Sequence, residues 1–362
     1  MSVFVSTPSA SEEVARVAAA RPSPKLAVVI ACHNYEAFVA CAIRSVVSQQ
    51  CLQCELVVVD DASTDRSWEI ISASGVQAIR LSDNVGQAQA CMRGLDETTA
   101  PFILFLDADD ELIPGSLQQI IDRLDDRISK LQFPLEVIDA EGRAGGGLMP
   151  VLSDFRGSRA LRRQVLRDGV YLTPPTSGNV LRRDVCQHAR EATYDRVMDG
   201  VALFAAPFHG DVVSLSQPLG RYRIHTRNDS GFGRTPDLAA LERLMRRFEA
   251  RMTHLRKVIS ALAPQARLAE PSATYYHGEL SFWRRILLGQ RTGILKTLSL
   301  IRRLFSQSIP LRAKLALGIC FLAADCLSNS KARSLLALRF DRDARSGGRL
   351  LKVILAPGGA SV

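Results

Sequence analysis

FILFLDADDEL, at residues 102–112, joins a buried-type apolar run to a cluster of acids. The five apolar residues 102–106 are typical of a strand that is covered on both faces. Asp107, Asp109 and Asp110 follow at once, and carboxylates this close repel each other unless something compensates their charge. Mg²⁺ and Mn²⁺ prefer carboxylate oxygens. The stretch therefore indicates a divalent-metal site at the end of a buried strand.

The same acids have a purely structural interpretation. They would then form an acidic turn that caps a helix beginning near Pro114. This one stretch does not separate the two interpretations.

Strand and helix patterns alternate on the amino-terminal side of this stretch. Short apolar runs predict strands at 26–31, 55–59 and 77–81. Apolar residues at helical spacing predict helices at 37–50, 64–73 and 86–97. This alternation predicts an α/β fold with a mainly parallel, Rossmann-like sheet and flanking helices. Ligands bind at the carboxyl ends of the strands of such a sheet, where the acids and small polar residues of this chain collect.

The length and composition are those of a globular protein of two or three domains. The chain has 362 residues, of which 47% are hydrophobic and 23% charged, which excludes a wholly disordered chain or a small disulfide scaffold. We expect a flexible leader at 1–24, an α/β domain at 25–235 and a basic helical region at 236–362. The glycine-rich segment 142–147 is expected to be a flexible turn.

The net charge of +9 is concentrated at one end. Residues 281–362 hold 15 Lys and Arg against 3 acids, whereas residues 1–280 hold 31 against 34. A basic tail with amphipathic helices fits an anionic membrane surface. The alternative is a helical domain that packs on the α/β domain and turns its Arg residues to solvent. No motif typical of nucleic-acid binding is present, so we expect no nucleic-acid partner.

The cysteines and the apolar runs bear on localisation. Cys51 and Cys54 form a CxxC without a second pair of ligands, so neither zinc binding nor redox activity is expected of them. The eight cysteines fit a reducing environment. The longest nearly apolar run, 315–324, is shorter than the roughly 20 residues that span a bilayer. We therefore expect a cytoplasmic protein, with the inner face of the cell membrane as a peripheral site.

Several motifs in a fixed order resemble one enzyme family. KLAVVIACHN at 25–34, ELVVVDDASTD at 55–65, NVGQAQACMRG at 84–94 and FLDADDEL at 105–112 resemble the nucleotide-sugar half of family 2 glycosyltransferases, which have the GT-A fold. PPTSGNVLRRD at 174–184 resembles an acceptor-side segment of bacterial members, and GRYRIHTRNDS at 220–230 resembles their closing Tyr-Arg-x-His segment. The resemblance covers about residues 25–230.

The resemblance implies roles for single residues. Asp61 matches the acid that binds the nucleoside base, and Asp107 matches the acid that contacts the ribose or donor sugar. The residues that line the rest of the nucleotide-sugar pocket are Ala31, Asn34, Asn84 and Gly86. Met92 stands where the family often has Asn, so one donor contact is expected to be absent.

The same resemblance implies a metal site and a base. Asp109 matches the metal-binding acid, and His225 matches a His that completes the metal or diphosphate site, with a structural hydrogen-bonded His as the other interpretation. Asp199 matches the general base, with Asp195 as its rival. Arg221 and Arg223 are either partners of a phosphate or carboxylate, or solvated strand residues.

The function that the resemblance implies is metal-dependent, inverting glycosyl transfer with Mn²⁺ or Mg²⁺ as cofactor. The donor would be a nucleoside diphosphate sugar, and the acceptor a hydroxyl of a glycan or lipid-linked sugar in bacterial polysaccharide synthesis. One alternative is a nucleotidyltransferase, although CHNYEAF at 32–38 lacks the basic, glycine-rich loop of that class. The other alternative is a membrane-associated, non-catalytic scaffold on a transferase fold, against which the intact acid cluster argues.

Overall fold

The computed structural model describes residues 22–194, 198, 200–226 and 235–340. The expected leader at 1–24 lies almost wholly outside these residues. Within the chain two compact units form. The first comprises residues 1–158 and 172–224, and the second comprises residues 159–171 and 225–362. The expected boundary near 235 stays a prediction.

All strands among the described residues belong to the first unit. In chain order they are β1 (Leu26–Cys32), β2 (Cys54–Asp60), β3 (Gln77–Arg80), β4 (Phe102–Asp107), β5 (Glu111–Leu112), β6 (Ile128–Gln132), β7 (Leu135–Ile138), β8 (Ala144–Met149), β9 (Phe155–Gly157), β10 (Asn179–Arg182), β11 (Asp211–Ser214) and β12 (Gly220–Arg223).

The α-helices are distributed over both units. In chain order they are α1 (Val39–Val47), α2 (Ser67–Ala73), α3 (Gln87–Asp96), α4 (Ser116–Ile121), α5 (Arg159–Asp168), α6 (Arg183–Arg190), α7 (Val201–His209), α8 (Leu238–Leu262), α9 (Tyr275–Leu287), α10 (Ile294–Phe305), α11 (Leu311–Cys326) and α12 (Asn329–Phe340). Helix α5 and helices α8–α12 lie in the second unit.

An eight-stranded sheet forms the centre of the first unit, in the order β3-β2-β1-β4-β10-β6-β11-β9. Strands β3, β2, β1 and β4 are parallel, whereas β10 is antiparallel to both of its neighbours. All seven residues of β1 are buried, as expected for a parallel strand with helices on both faces. The predicted α/β fold with a mainly parallel sheet is therefore confirmed, and the four predicted strands differ from the observed ones by one residue at most at either end.

A second sheet has four strands in the order β5-β12-β7-β8. It includes β8, which covers most of the glycine-rich segment that was expected to be a flexible turn, so that expectation was wrong. Five of the six residues of β8 are exposed, and the strand pairs only with β7, at the edge of the sheet. Strands of this kind lack the apolar alternation by which sequence patterns identify a strand.

The second unit is helical, as predicted, and has its own apolar core. Phe282, Trp283 and Phe321 pack with ring centroids 5.1–5.8 Å apart. Helix α8 begins after Asp237, whose carboxylate accepts a hydrogen bond from the Ala240 N–H at 2.6 Å. Among the described residues, no helix combines the length and apolar character that crossing a bilayer requires.

A disulfide joins Cys51 and Cys54, whose Cα atoms are 5.4 Å apart. Cys54 is the first residue of β2, and Cys51 lies in the loop before it. The sequence had assigned no pairing to these residues.

Helix α3 lies so close to the sheet that only glycine fits at position 94. A Cβ atom there would lie 2.4 Å from Val29 Cγ1 and 3.2 Å from Val59 Cγ2. We expect Gly94→Ala to destabilise the first unit by about 1–3 kcal/mol, because overpacking forces core side chains or the helix to move. Urea denaturation followed by circular dichroism measures the change.

Gly145→Ala is the matched control, because a Cβ atom at position 145 would meet nothing within 4 Å. Its denaturation midpoint should stay at or above that of the wild type. Equal midpoints for both variants would contradict the proposed close packing of α3.

Candidate active site

Three carboxylates meet at the carboxyl end of β4. Asp107 ends the strand, and Asp109 and Asp110 lie in the turn that leads to β5. One carboxylate oxygen from each residue lies within 4.8 Å of the others. Asp109 and Asp110 are only 8% and 1% exposed. The predicted acid cluster is thus a single, largely buried group of oxygens.

Asp110 is the most deeply embedded of the three. Its carboxylate accepts hydrogen bonds from Ser177 Oγ at 2.5 Å and from the Arg223 N–H at 3.0 Å. Burial, and next the charge of Asp109, raise the pKa of Asp110 well above its usual range, while these two donors act against the rise. Asp110 is therefore buried beneath the surface of the cluster and does not face solvent.

Arg223 on β12 brings the positive charge that this turn needs. Its guanidinium is 3% exposed, donates to the Asp109 carbonyl at 2.9 Å and pairs with the Glu111 carboxylate. It lies over the Phe38 ring, with 5.2 Å between the guanidinium carbon and the ring centroid. Arg223 is therefore the partner of a carboxylate, and the interpretation as a solvated strand residue is wrong for it. Arg221 also faces carboxylates, at 3.6 Å from Glu111 and from Glu136.

Ser177 is a residue that sequence reasoning missed. It lies in a 3₁₀ turn, Thr176–Gly178, is fully buried, and accepts the Asp107 N–H at 3.1 Å while donating to Asp110. The segment 174–184 had been assigned to the acceptor side. Its Ser177 contacts the acid cluster, which no local pattern could have indicated, and the acceptor-side role of the segment stays a prediction.

Asp107 also contacts the start of α3. The side-chain amide of Gln87 donates a hydrogen bond to its carboxylate. Gln87 directly follows Gly86, which has a φ of +90° and begins the helix. The loop between β3 and α3 is therefore joined to the acid cluster.

Asp61 holds that same loop from the other side. Its two carboxylate oxygens accept the backbone N–H groups of Val85 and Gly86, each at 2.8 Å. Asp61 is 2% exposed, whereas Asn84 is exposed. The structure thus brings together three of the predicted positions, namely Asp61, Asn84 and Gly86. Asp61 also stabilises this loop, besides any contact with a nucleoside base.

Asn34 joins the loops that follow β1 and β2. It has a left-handed backbone, with φ at 61°, and its side-chain oxygen accepts the Thr64 N–H at 2.8 Å. Its own N–H donates to Ser63 Oγ at 3.0 Å. These bonds make Asn34 a clamp between two loops, and a direct nucleotide contact stays a prediction. Ala31 lies one residue before the end of β1, paired in register with Asp107.

His33 is a second residue that the sequence did not single out. Its Nδ1 lies 2.7 Å from the Asp61 carbonyl, and its Nε2 lies 3.1 Å from the Asn34 amide nitrogen. The imidazole ring therefore links Asp61 and Asn34, the two residues that hold the loops at this edge of the sheet.

Three predicted positions remain, namely the two candidate bases and His225. Asp199 and its rival Asp195 lie outside the described residues. His225 is partly buried and belongs to the second unit, next in the chain after the last residue of the first. The roles assigned to these residues stay predictions.

The donor set fits a hard divalent cation. The carboxylate oxygens of Asp107, Asp109 and Asp110 are the type of ligand that Mg²⁺ and Mn²⁺ take, and their mutual repulsion would fall on binding. Within the described part of the chain this is the one group of three such residues close enough to share an ion.

Comparison with known proteins yields one matching family and several relatives. Residues 27–169 match the family model described as Glycosyl transferase family 2. An uncharacterized glycosyltransferase of Nostoc sp. is 32% identical over 220 residues, which are 57% of this chain and 66% of that protein. A GalNAc(5)-diNAcBac-PP-undecaprenol beta-1,3-glucosyltransferase of Campylobacter jejuni is 29% identical over 125 residues, 33% of this chain and 40% of that protein.

A solved structure, that of S. aureus TarS 1–349 in complex with UDP, superposes with a TM-score of 0.49. It is 16% identical, over 91% of this chain and 89% of that one. The match to the family model, rather than this superposition, identifies the domain. Residues 27–169 therefore form a domain of glycosyl transferase family 2.

Proposed function

We propose that this chain is a metal-dependent, inverting glycosyltransferase of GT-A architecture. It would move a sugar from a nucleoside diphosphate sugar to a hydroxyl of a glycan or lipid-linked acceptor. The buried cluster of Asp107, Asp109 and Asp110 at the carboxyl end of β4 is the observation that carries the proposal. It lies at the sheet edge where α/β folds bind their ligands, beside the loops of β1 and β2.

The donor would bind along the rim that the clamped loops form. Asp61 would accept a hydrogen bond from the nucleoside base, and Ala31, Asn34, Asn84 and Gly86 would line the pocket. Because Asp61 and Asn34 are already held by backbone groups, this rim is preorganised for its ligand.

The acid cluster would hold Mn²⁺ or Mg²⁺, chiefly through Asp109, with Asp107 toward the ribose or donor sugar. A bound divalent ion supplies positive charge for the leaving diphosphate. Ser177 and Arg223 keep the acids in place by hydrogen bonds to Asp110 and to the Asp109 carbonyl. His225 is proposed to complete this part of the site.

Inversion needs a single displacement. The acceptor oxygen would bond to the anomeric carbon while the bond from that carbon to the diphosphate oxygen breaks. Asp199 is the proposed base that takes the acceptor proton. No second carboxylate is needed as a nucleophile in this mechanism.

We place this reaction in bacterial polysaccharide synthesis, at the cytoplasmic face of the cell membrane. The name of the Campylobacter relative describes an undecaprenol-linked substrate, which supports a lipid-linked acceptor here. The basic helices of the second unit support peripheral contact with an anionic membrane.

Nucleotide binding should require the metal. Of UDP, GDP, dTDP and CMP, we expect one nucleoside diphosphate to raise the melting temperature, and only with Mn²⁺ present. A ligand at about 100 times its Kd stabilises the native state by about 2.7 kcal/mol. Asp109→Asn should remove the shift and the transfer activity, as thermal-shift and radiolabel-transfer assays can measure.

Asp122→Asn is the matched control, since Asp122 is an exposed acid just after α4. It should keep the wild-type shift. An Asp109→Asn protein with unchanged metal-dependent turnover would refute the proposed metal site. No shift with any nucleotide would favour the non-catalytic scaffold.

Ser177 should affect metal binding although it is not a ligand. Ser177→Ala removes the donor to Asp110 Oδ2 and leaves only the Arg223 N–H, which donates to Oδ1. Groups that orient metal ligands typically contribute about 10–100-fold in metal affinity. We expect the Mn²⁺ concentration for half-maximal activity to rise by a factor in this range. Ser82→Ala, at an exposed loop serine, should leave it unchanged, and an unaltered Mn²⁺ requirement in Ser177→Ala would contradict the role.

Asp199 and Asp195 can be separated by substituting each in turn. Asp199→Asn should lower kcat by about 10²–10⁴-fold, the usual contribution of a general base. It should keep the Mn²⁺-dependent nucleotide shift, because the base does not bind the nucleotide. Asp195→Asn should retain activity, and the reverse pattern would assign the base to Asp195 instead.

A further inference from the structure

The second unit contains a polar groove that the proposed reaction does not use. It lies between α9 and α10, with a cavity volume of about 280 Å³. One wall is lined by residues of α9 that are one turn apart, namely His277, Ser281 and Arg285. Lys296, Ser299 and Arg303 of α10 line the other.

Three cations line this groove without a carboxylate partner. Among the described residues, the side chains of Arg285 and Lys296 make no ion pair or hydrogen bond. The Arg303 guanidinium donates to the carbonyls of Ser272 and Thr274, at 2.6 and 3.4 Å, and these are uncharged acceptors. His277 is the exception, since its Nε2 lies 2.8 Å from Glu249. The net charge of the groove is therefore positive.

Hydroxyl groups add donors to these charges. Ser281 and Ser299 face the cavity from opposite helices. Thr292 Oγ1 also lines it, is buried, and has no hydrogen-bond partner among the described residues. A buried hydroxyl normally finds a partner, so the position suits an oxygen acceptor from a ligand.

Asp325 does not neutralise the groove, because its carboxylate is engaged elsewhere. Asp325 accepts the N–H groups of Thr292 and Gly293, and the Thr297 hydroxyl, so its carboxylate caps α10. Between residues 281 and 340 the chain has eleven Lys and Arg and this single acid. Arg and Lys donors combined with hydroxyl groups are the chemistry that binds phosphate oxygens.

The surroundings of the groove favour a lipid as the source of the phosphate. Leu295 and Leu298, beside Lys296 and Ser299 on α10, are 81% and 49% exposed. Nine of the seventeen exposed large apolar side chains of the described chain fall within residues 288–319, namely Leu288, Ile294, Leu295, Leu298, Phe305, Ile309, Leu311, Leu315 and Ile319. Exposed apolar side chains among basic ones, on helices, are typical of proteins that lie on an anionic membrane.

We infer that the groove between α9 and α10 binds the phosphate or diphosphate headgroup of an anionic lipid. Arg285, Lys296 and Arg303 supply the charge, and the hydroxyls of Ser281, Thr292 and Ser299 supply further donors. The exposed leucines of α10 would enter the apolar layer beside the headgroup. This inference rests on the proposed membrane contact for the source of the phosphate, but not on glycosyl transfer.

The test compares two charge-matched variants of the full chain. Arg285→Gln/Lys296→Gln removes two groove cations that hold no other residue in place. Arg246→Gln/Lys257→Gln removes one Arg and one Lys from the exposed side of α8 and serves as the control. Each protein is titrated with inorganic pyrophosphate by calorimetry. Each is also co-sedimented with phosphatidylcholine vesicles with and without about 20 mol% phosphatidic acid, since anionic lipids attract basic residues near the bilayer surface.

The groove variant should bind pyrophosphate and anionic vesicles about tenfold more weakly than the wild type. The control should stay within about twofold of the wild type for pyrophosphate, because no localised site is lost. Equal losses in both variants, or none in the groove variant, would overturn the proposal in favour of diffuse charge. Pyrophosphate binding without any preference for anionic vesicles would overturn the lipid source.

Transfer activity on a soluble acceptor distinguishes this inference from the proposed reaction. The groove variant should keep wild-type turnover there, since its residues take no part in the donor site. Loss of vesicle binding with intact turnover would support the groove and leave the transferase proposal untouched.

Discussion

The burial of an acidic turn at the end of β4 constrains the rest of the first unit. Three carboxylates within 4.8 Å of one another repel, and burial raises the cost of their charge. Arg223 and Ser177 offset this cost by reaching the turn from distant parts of the chain. The second sheet, whose strand β12 carries Arg223, and the 3₁₀ turn, which carries Ser177, are thereby tied to the first sheet at the point where its ligands should bind.

A second set of contacts makes the neighbouring loops rigid. Asp61 accepts two backbone N–H groups from the loop before α3, and Asn34 accepts from the loop after β2. Polar side chains here satisfy backbone groups that a loop would otherwise expose. The residues expected to contact a nucleotide are therefore also the residues that shape its pocket. A substitution at Asp61 would alter both tasks, which is why the sharper tests use Asp109 and Ser177.

The second unit differs from the first in what forms its core and in the charge of its surface. Its core is aromatic and apolar, around Phe282, Trp283 and Phe321. Its surface carries exposed leucines and isoleucines together with Arg285 and Lys296, which have no ion pair among the described residues. Charge is thus segregated along the chain, with a slightly acidic first part and a basic last part. The two proposed binding tasks, one for a nucleotide and a metal and one for an anionic surface, would thus fall in parts of the chain with opposite net charge.

Local patterns alone were sufficient for the parallel strands, the acid cluster and the helical character of the last third. They depend on neighbouring residues, through apolar runs, helical spacing and charge. The partners of the acids could not be found in this way, since Ser177 and Arg223 lie 67 and 113 residues from Asp110. Strand β8 was missed because it lacks apolar alternation, and the groove because it forms only when α9 and α10 pack against each other. Pairing, burial and the meeting of distant cations arise only when the chain packs, because each depends on residues far apart in sequence.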